Sequence, residues 1–360
     1  MDLTAYRTLG RSGLVVSPLA LGTMTFGTER WGASDQDSRQ IFDRYVDLGG
    51  NLVDTADVYA GGRSEALVGQ YLADRLARDR IVLSTKFTWN MNPGNPNAGG
   101  NGRKNIYRAL EQSLARLQTD YIDVYWLHFW DMVTPVEEVL ETMVNLVRAG
   151  KIRYYGLSDV PAWYATRMAV MAAERGLPGP IALQMEYSLV ERAIENEFMP
   201  AARATGMGIM PWSPLAGGFL TGKYRPGMPD AAKHGRLSGA NPFGQSKFSE
   251  RNWQILQGVE QLSGELGLPA AQVALAWARH KGGVDSVLVG AKTVGQLDDN
   301  LASLGVVLSP AAMSRLDALS APAPMFPYAA FSADLRRSIF GGADVSGWPC
   351  PSSGAGSGRT

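Results

Sequence analysis

Four side chains of this 360-residue chain could act together on one small molecule: Asp54, Tyr59, Lys86 and His128. Asp54 ends the apolar run Asn51-Leu52-Val53, and Tyr59 follows the polar turn Thr55-Ala56-Asp57-Val58. Lys86 ends the run that starts at Ile81, where a lysine is costly unless it finds a partner. Asp54 can be that partner. A lysine held beside Tyr59 favours the phenolate and lowers the tyrosine's pKa from about 10. Such a tyrosine can donate a proton near neutral pH and take it back in the reverse direction. His128, neutral or cationic according to its surroundings, can hydrogen-bond the same substrate oxygen. Taken singly, each has a plainer explanation: a cap or ion pair for Asp54 and Lys86, packing for Tyr59. Their joint placement is what points to chemistry. A rival pairing, Asp54 with Glu65 as two carboxylates for hydrolysis, leaves Tyr59 and Lys86 without a role. His234 and His280 have no evident partners and read as surface residues. No His-x-x-His or paired-cysteine spacing supports a metal site.

These residues lie at the ends of apolar runs, and each run is followed by helical periodicity. Tyr6 to Ser17 reads as a hairpin around Gly10-Arg11-Ser12-Gly13. Strands are expected at 19–22, 51–54, 81–86, 121–128, 152–157, 181–184, 207–212 and 286–289. Helices are expected at about 36–48, 64–77, 104–117, 135–149, 163–175, 191–204, 250–266, 270–281 and 294–304. Pro135 suits a first helical position and Gly150 a C-terminal cap. Long loops fall at 88–102 and 213–248. Eight successive strand-helix units argue for an α/β fold, a closed (β/α)8 TIM barrel with an N-terminal hairpin and long loops at its C-terminal face. A doubly wound open sheet is the runner-up, weakened by the lack of a glycine fingerprint after an early strand. In a barrel consecutive strand ends are neighbours, so Asp54, Lys86 and His128 converge there. One domain is expected over 1–320. The extension 321–360 is partly flexible, its end rich in glycine and serine, though Phe326, Tyr328, Phe331 and Phe340 could dock it.

The formal net charge is zero, so nucleic acid or an acidic membrane surface is not expected as a partner. The single cysteine, Cys350, excludes an internal disulfide framework and suits a reducing cytoplasm. Met1-Asp2-Leu3-Thr4 lacks the basic-then-apolar start of a leader, and no apolar run approaches about 18 residues.

Asp54-Thr55-Ala56-Asp57-Val58-Tyr59, followed by Ser64-Glu65 and Gly69, resembles the signature of the aldo-keto reductases. Ser84-Thr85-Lys86, Leu127-His128-Phe129-Trp130-Asp131 and Pro135-Val136-Glu137-Glu138 resemble three further motifs, in the family's order and spacing. The likeness spans about residues 5–320 and is nearest to the bacterial branch with general stress reductases and to potassium-channel β subunits. It implies NADPH-dependent reduction of aldehydes and ketones without metal or flavin. Tyr59 would be the general acid, Lys86 and Asp54 would lower its pKa, and His128 would orient the carbonyl.

The resemblance also implies a cofactor site. Gly22, Thr23, Met24 and Asp54 fall at its first strands. Ser158-Asp159 and Gln184 would hold the nicotinamide carboxamide, and Trp212 would stack on the ring. Ser213-Pro214-Leu215 and Gly217 to Lys223 resemble the strap over the pyrophosphate. Gly290-Ala291-Lys292, Gln296 and Asn300 resemble the adenosine end. Lys292 can meet a 2′-phosphate as a point charge, which favours NADPH over NADH without excluding NADH. Position 159 departs from the family's usual Asn. A carboxylate there only accepts hydrogen bonds, and its charge should favour the oxidised ring and alcohol oxidation. Phe26, Trp31, Trp89, Phe129 and Trp130 sit in loops after strands and would wall an apolar pocket for a small carbonyl or alcohol. A regulatory, redox-sensing subunit of the channel β type is the second functional reading. A homo-oligomer is left open.

Overall fold

The computed structural model describes residues 2–28, 31–227, 235–238 and 244–345. His234, Cys350 and positions 346–360 lie outside them. Two short strands, β1 (Arg7–Thr8) and β2 (Val15–Val16), form the expected antiparallel hairpin. Eight strands follow: β3 (Leu19–Gly22), β4 (Leu52–Asp54), β5 (Val82–Phe87), β6 (Ile122–Leu127), β7 (Ile152–Ser158), β8 (Ala182–Glu186), β9 (Gly208–Trp212) and β10 (Val287–Val289). They pair in parallel in the order β10-β3-β4-β5-β6-β7-β8-β9. A parallel bridge between Ile209 and Val284 brings the two ends together. There Asp285 N–H donates to Ile209 O at 2.9 Å. The architecture is the (β/α)8 barrel expected from the alternation, not an open sheet.

Strand residues alternate between two surroundings, as the period of two requires. Ala20, Leu52, Val82, Val124, Trp126, Ala182 and Met210 point inward and fill the barrel with Leu9 and Val16 of the hairpin. Leu21, Val53, Leu83, Tyr125, Leu127, Leu157 and Ile209 point outward into the main core under the helices. Gly156 stands where a side chain would collide with the Trp126 ring. The hairpin closes the N-terminal end: Gly10 N–H donates to Asp285 Oδ2 at 2.7 Å and Arg11 N–H to Gly206 O at 2.7 Å. Gly10 has φ 57 and lies against the Ile181 carbonyl, so only glycine fits this contact without strain.

Around the barrel run α1 (Asp35–Asp47), α2 (Arg63–Arg75), α3 (Arg103–Leu117), α4 (Val136–Arg148), α5 (Ala162–Glu174), α6 (Phe198–Thr205), the short α7 (Gly244–Lys247), α8 (Glu250–Leu266), α9 (Ala270–His280), α10 (Val294–Ala302) and α11 (Pro310–Leu319). The helix expected at 191–204 is divided into a 3-10 turn at Ala193–Glu195 and α6. Arg192 turns inward at the break, donating to Glu195 Oε2 at 2.7 Å and to Asp317 O at 2.8 Å. Sequence reading omits α11 because its alanines make the apolar stripe faint. Its start signals are nevertheless present: Pro310 at the first position and the Ser309 hydroxyl accepting from Ala312 N–H at 3.2 Å. His280 is exposed, as expected. Beyond α11 the chain carries a last short helix, α12 (Ala333–Ile339). Phe326, Phe331 and Phe340 there are 87, 57 and 51 % exposed. No described residue of this extension lines the cavity of the barrel. Among the described residues no helix is long and apolar enough to cross a membrane.

Candidate active site

The inward period that packs the barrel's lower half also selects the residues at its upper end. Asp54 shares its face with Leu52, Lys86 with Val82, His128 with Val124 and Trp126, Gln184 with Ala182, and Trp212 with Met210. Large apolar residues fill the lower positions. Mostly polar ones replace them at the C-terminal ends, and a cavity of about 1830 Å³ opens there. Sites for one small ligand usually measure roughly 300–1,000 Å³, so this one has room for more than one small molecule.

At its floor Lys86 and Asp54 form an ion pair, 1 % and 0 % exposed. Lys86 Nζ also donates to Thr55 O at 2.8 Å and to the Tyr59 hydroxyl at 3.2 Å. Asp54 Oδ1 accepts from the Ser84 hydroxyl at 2.6 Å and from Gln184 Nε2 at 3.2 Å. Tyr59 opens a 3-10 turn whose next residues, Ala60, Gly61 and Gly62, have positive φ. That turn swings the tyrosine back over the strand ends. The His128 ring meets Tyr59 edge-on, with centroids 5.9 Å apart. The four residues proposed to act together are therefore in contact or one ring apart.

Burial pushes the Tyr59 pKa above its ordinary value, with Lys86 pulling it back and Asp54 pushing it further up. This corrects the expected lowering. Burial is the largest influence, and Asp54 opposes the lysine's pull. Burial presses the Lys86 pKa down, but Asp54 and Tyr59 more than offset it and the lysine stays charged. Burial and the Lys86 charge hold His128 well below its usual pKa, so its imidazole is neutral. Its Nδ1 has no hydrogen-bond partner. Glu65 is buried elsewhere, bound to Arg116 at 2.6 Å and to the Thr85 hydroxyl at 2.5 Å. It does not line the cavity, and the carboxylate-pair alternative has no geometric basis.

Gly22, Met24, Ser158, Asp159, Gln184, Trp212, Ser213, Pro214, Leu215, Gly217, Lys223, Gly290, Ala291, Lys292, Gln296 and Asn300 all line the cavity. Thr23 does not: its buried hydroxyl donates to Asp54 O at 3.0 Å and bonds Ser64 at 2.9 Å, bracing the strand end. Trp31, Trp89 and Phe129 line the mouth, with Trp89 and Phe129 centroids 5.8 Å apart. Phe26 and Trp130 do not. Phe26 is fully buried against Tyr71, and Trp130 packs on Trp163 and Tyr164. Loop residues follow no strand period, so sequence position alone does not say which way they face.

Four ionisable residues on the cavity wall were missed; one of them, Arg63, is paired with Asp35 at the start of α1. Glu186 ends β8 on the inward face set by Gln184, a signal the sequence contained; it is tied to Lys247 at 2.6 Å. Arg236, from the 213–248 loop, lies over the Trp31 ring at 5.4 Å and donates to Met24 Sδ at 3.4 Å. Asp299 precedes Asn300 on α10. No motif marks Arg236, which the long loop delivers.

Asp159 adopts φ 45, a conformation that Asp and Asn tolerate better than most residues. Its Oδ1 accepts from Trp212 Nε1 at 3.1 Å. Burial, with the charge of Glu186, pushes its carboxyl up to about 7 against the Trp212 hydrogen bond and Lys86. The acceptor expected from sequence thus takes up a proton far more readily than an ordinary aspartate.

A second buried acid, Asp57, is 1 % exposed and neither carboxyl oxygen has a hydrogen-bond partner. Burial and then the Glu65 charge push it up to about 7. The folded state thus keeps a proton that an unfolded chain, with a pKa of about 4, has lost. Stability then falls as pH rises between those two values. Asp57→Asn is expected to remove about 2–3 kcal/mol of that fall between pH 5 and pH 8. Urea unfolding at the two pH values measures it; an unchanged slope in the variant would show that Asp57 is not the protonated group.

The donor set suits an anionic dinucleotide. Lys223 and Lys292 both line the cavity, and the Lys223 pKa is lowered by burial and then by the Lys292 charge, a strain that a phosphate relieves. Gly217 and Gly218, at φ 66 and 87, form the adjoining wall with bare backbone.

The sequence pattern described as "Aldo/keto reductase family" matches residues 18–321. The chain is 35 % identical over 316 residues to norsolorinic acid reductase of Aspergillus flavus, covering 85 % of this chain and 78 % of that one. It is 36 % identical over 319 residues to a probable voltage-gated potassium channel subunit beta of Oryza sativa, covering 87 % and 96 %. An aryl-alcohol dehydrogenase of Pestalotiopsis microspora is 32 % identical over 316 residues, covering 85 % and 80 %. A barrel of this topology, a matching pattern over most of the chain and relatives of this similarity lead to one conclusion: the protein belongs to the aldo/keto reductase family, oxidoreductases that generally use NAD(P)H.

Proposed function

We propose that the protein interconverts aldehydes or ketones and alcohols by NADP(H)-dependent hydride transfer, with Tyr59 as general acid and base. The observation that carries this reading is the contact of Tyr59 with the buried Lys86–Asp54 pair on the floor of a dinucleotide-sized cavity. The cofactor supplies the hydride when bound. The protein's own groups do the rest. A tyrosine pKa above its usual value keeps the hydroxyl protonated at neutral pH. It therefore donates to the carbonyl oxygen during reduction. Lys86 stabilises the phenolate left behind, and neutral His128 holds the same oxygen by a hydrogen bond. Ser158, Asp159 and Gln184 would hold the nicotinamide end, with Trp212 against the ring. Lys223 and Lys292 would hold the phosphates. Lys292 favours a 2′-phosphate, whereas Asp299, which lines the same cavity, would accept from a free 2′-hydroxyl and keeps NADH as a second coenzyme.

The walls of Trp31, Trp89 and Phe129 suit an apolar, ring-containing carbonyl. The names of two relatives, an aryl-alcohol dehydrogenase and norsolorinic acid reductase, support that class. The similarity to a channel β subunit, over nearly its whole length, supports the second reading, a cofactor-binding regulatory subunit.

The test is oxidation of NADPH, with NADH in parallel, against aromatic aldehydes, quinones, sugars and alicyclic ketones. Turnover on members of the panel is the expected result. Tight cofactor binding with no turnover in either direction would replace the reductase with the regulatory reading.

A further inference from the structure

The catalytic scheme above uses Tyr59, Lys86 and His128 for the substrate oxygen and gives Asp159, an acid on the cavity wall, no part in proton transfer. Asp159 follows β7 at the end of the cavity that also holds Ser158, Gln184 and Trp212. The Trp212 indole N–H fixes its carboxyl at 3.1 Å. Any nicotinamide that presents a hydride beside Tyr59 lies in this end of the cavity.

We propose, on the reading of the site as a nicotinamide dinucleotide site, that Asp159 is a redox-linked proton site. It holds a proton beside the neutral reduced ring and loses it to solvent beside the positively charged oxidised ring. Binding of the oxidised cofactor to protonated enzyme then gives the carboxylate complex and one free proton, with no change of oxidation state. Binding of the reduced cofactor leaves the proton in place.

Burial is the largest influence on Asp159, and the groups that face it set the balance. Glu186, at the end of β8, favours the protonated form; its partner Lys247, at 2.6 Å, moderates that effect. Lys86, from β5, favours the carboxylate, but Asp54 of β4 is paired with it. The Trp212 hydrogen bond also favours the carboxylate, and burial opposes it more strongly. Arg236 from the long loop shares the cavity and interacts with Glu186. His128 is neutral over the relevant range. Opposing influences of this kind leave a carboxyl that a single positive charge at contact distance can tip.

The ratio of the affinities for NADP⁺ and NADPH isolates this group, because the phosphates are common to both cofactors and their titration cancels. Both affinities are measured by quenching of tryptophan fluorescence between pH 6 and pH 8.5. The wild type is expected to gain about tenfold in its preference for NADP⁺ over that range, one pKa unit of difference between the two complexes. Calorimetry of NADP⁺ binding at pH 7 in two buffers of different ionisation enthalpy should show release of a fraction of a proton. Asp159→Asn keeps the shape, the tolerated backbone conformation and an acceptor for Trp212. It should flatten the ratio and abolish the proton release. A ratio independent of pH in the wild type, or the same slope in the variant, overturns the proposal while leaving the reductase reading intact. Failure of either cofactor to bind would overturn that reading and this one with it.

Discussion

Replacing Tyr59 by phenylalanine is expected to lower carbonyl turnover about a thousandfold, within the range that a general acid contributes. The substitution removes one oxygen and little else. Lys86 loses an acceptor at 3.2 Å but keeps Asp54 and Thr55 O. The phenylalanine ring retains the edge contact with His128 at 5.9 Å. Cofactor affinity and thermal stability should therefore stay near wild type while kcat collapses. The direction of the tyrosine's shift adds a pH signature. Reduction needs the protonated phenol, whose pKa burial holds above its usual value. Reduction should be insensitive to Tyr59 through neutral pH and decline only in alkaline solution, whereas alcohol oxidation should rise there. Steady-state rates in both directions, with fluorescence titration of the cofactor, measure these effects. Turnover of the variant within tenfold of wild type would remove Tyr59 from the acid role.

Lys86→Met should have the largest effect on the fold. Both partners of the ion pair are essentially inaccessible, so removing the lysine strands a carboxylate with only Ser84 and Gln184 as donors. Breaking a buried pair in this way costs roughly 3–5 kcal/mol, a large share of the ~5–15 kcal/mol by which domains are stable. Much of that cost comes from the unpaired charge and not from the lost attraction. The double variant Asp54→Asn/Lys86→Met should therefore melt closer to wild type than Lys86→Met does. It should remain as inactive, because nothing then stabilises the phenolate. Thermal melts of the three proteins separate the two roles. A double variant no more stable than Lys86→Met would mean that the pair is held by attraction and not by avoidance of an unpaired charge.

Much of the barrel and of its floor was legible beforehand for a simple reason. A parallel strand buried on both faces reads as an apolar run, and its last inward residue is the first that need not be apolar. Asp54, Lys86, His128 and Trp212 stand at that position and Gln184 one inward place before it, and chain order makes their strands neighbours. Glu186 could have been found by the same count of two from Gln184. What failed lay off the strands. Phe26 and Trp130 point into packing and not into the mouth, and Thr23 braces the Asp54 carbonyl. Arg236 reaches the cavity from a loop with no periodicity.

By itself the sequence determined the alternation of elements, hence the closed barrel, and the set of inward polar residues at one end of it. Those follow from local periodicity and chain order, which need no knowledge of distant contacts. The tertiary structure decided the protonation of the site. Tyr59 stays above its usual pKa because it is buried and Asp54 opposes the pull of Lys86, and Asp159 is lifted to about 7 because it is buried near Glu186. A charge in a low-dielectric interior answers to every neighbour brought beside it by folding, and no spacing along the chain records that sum.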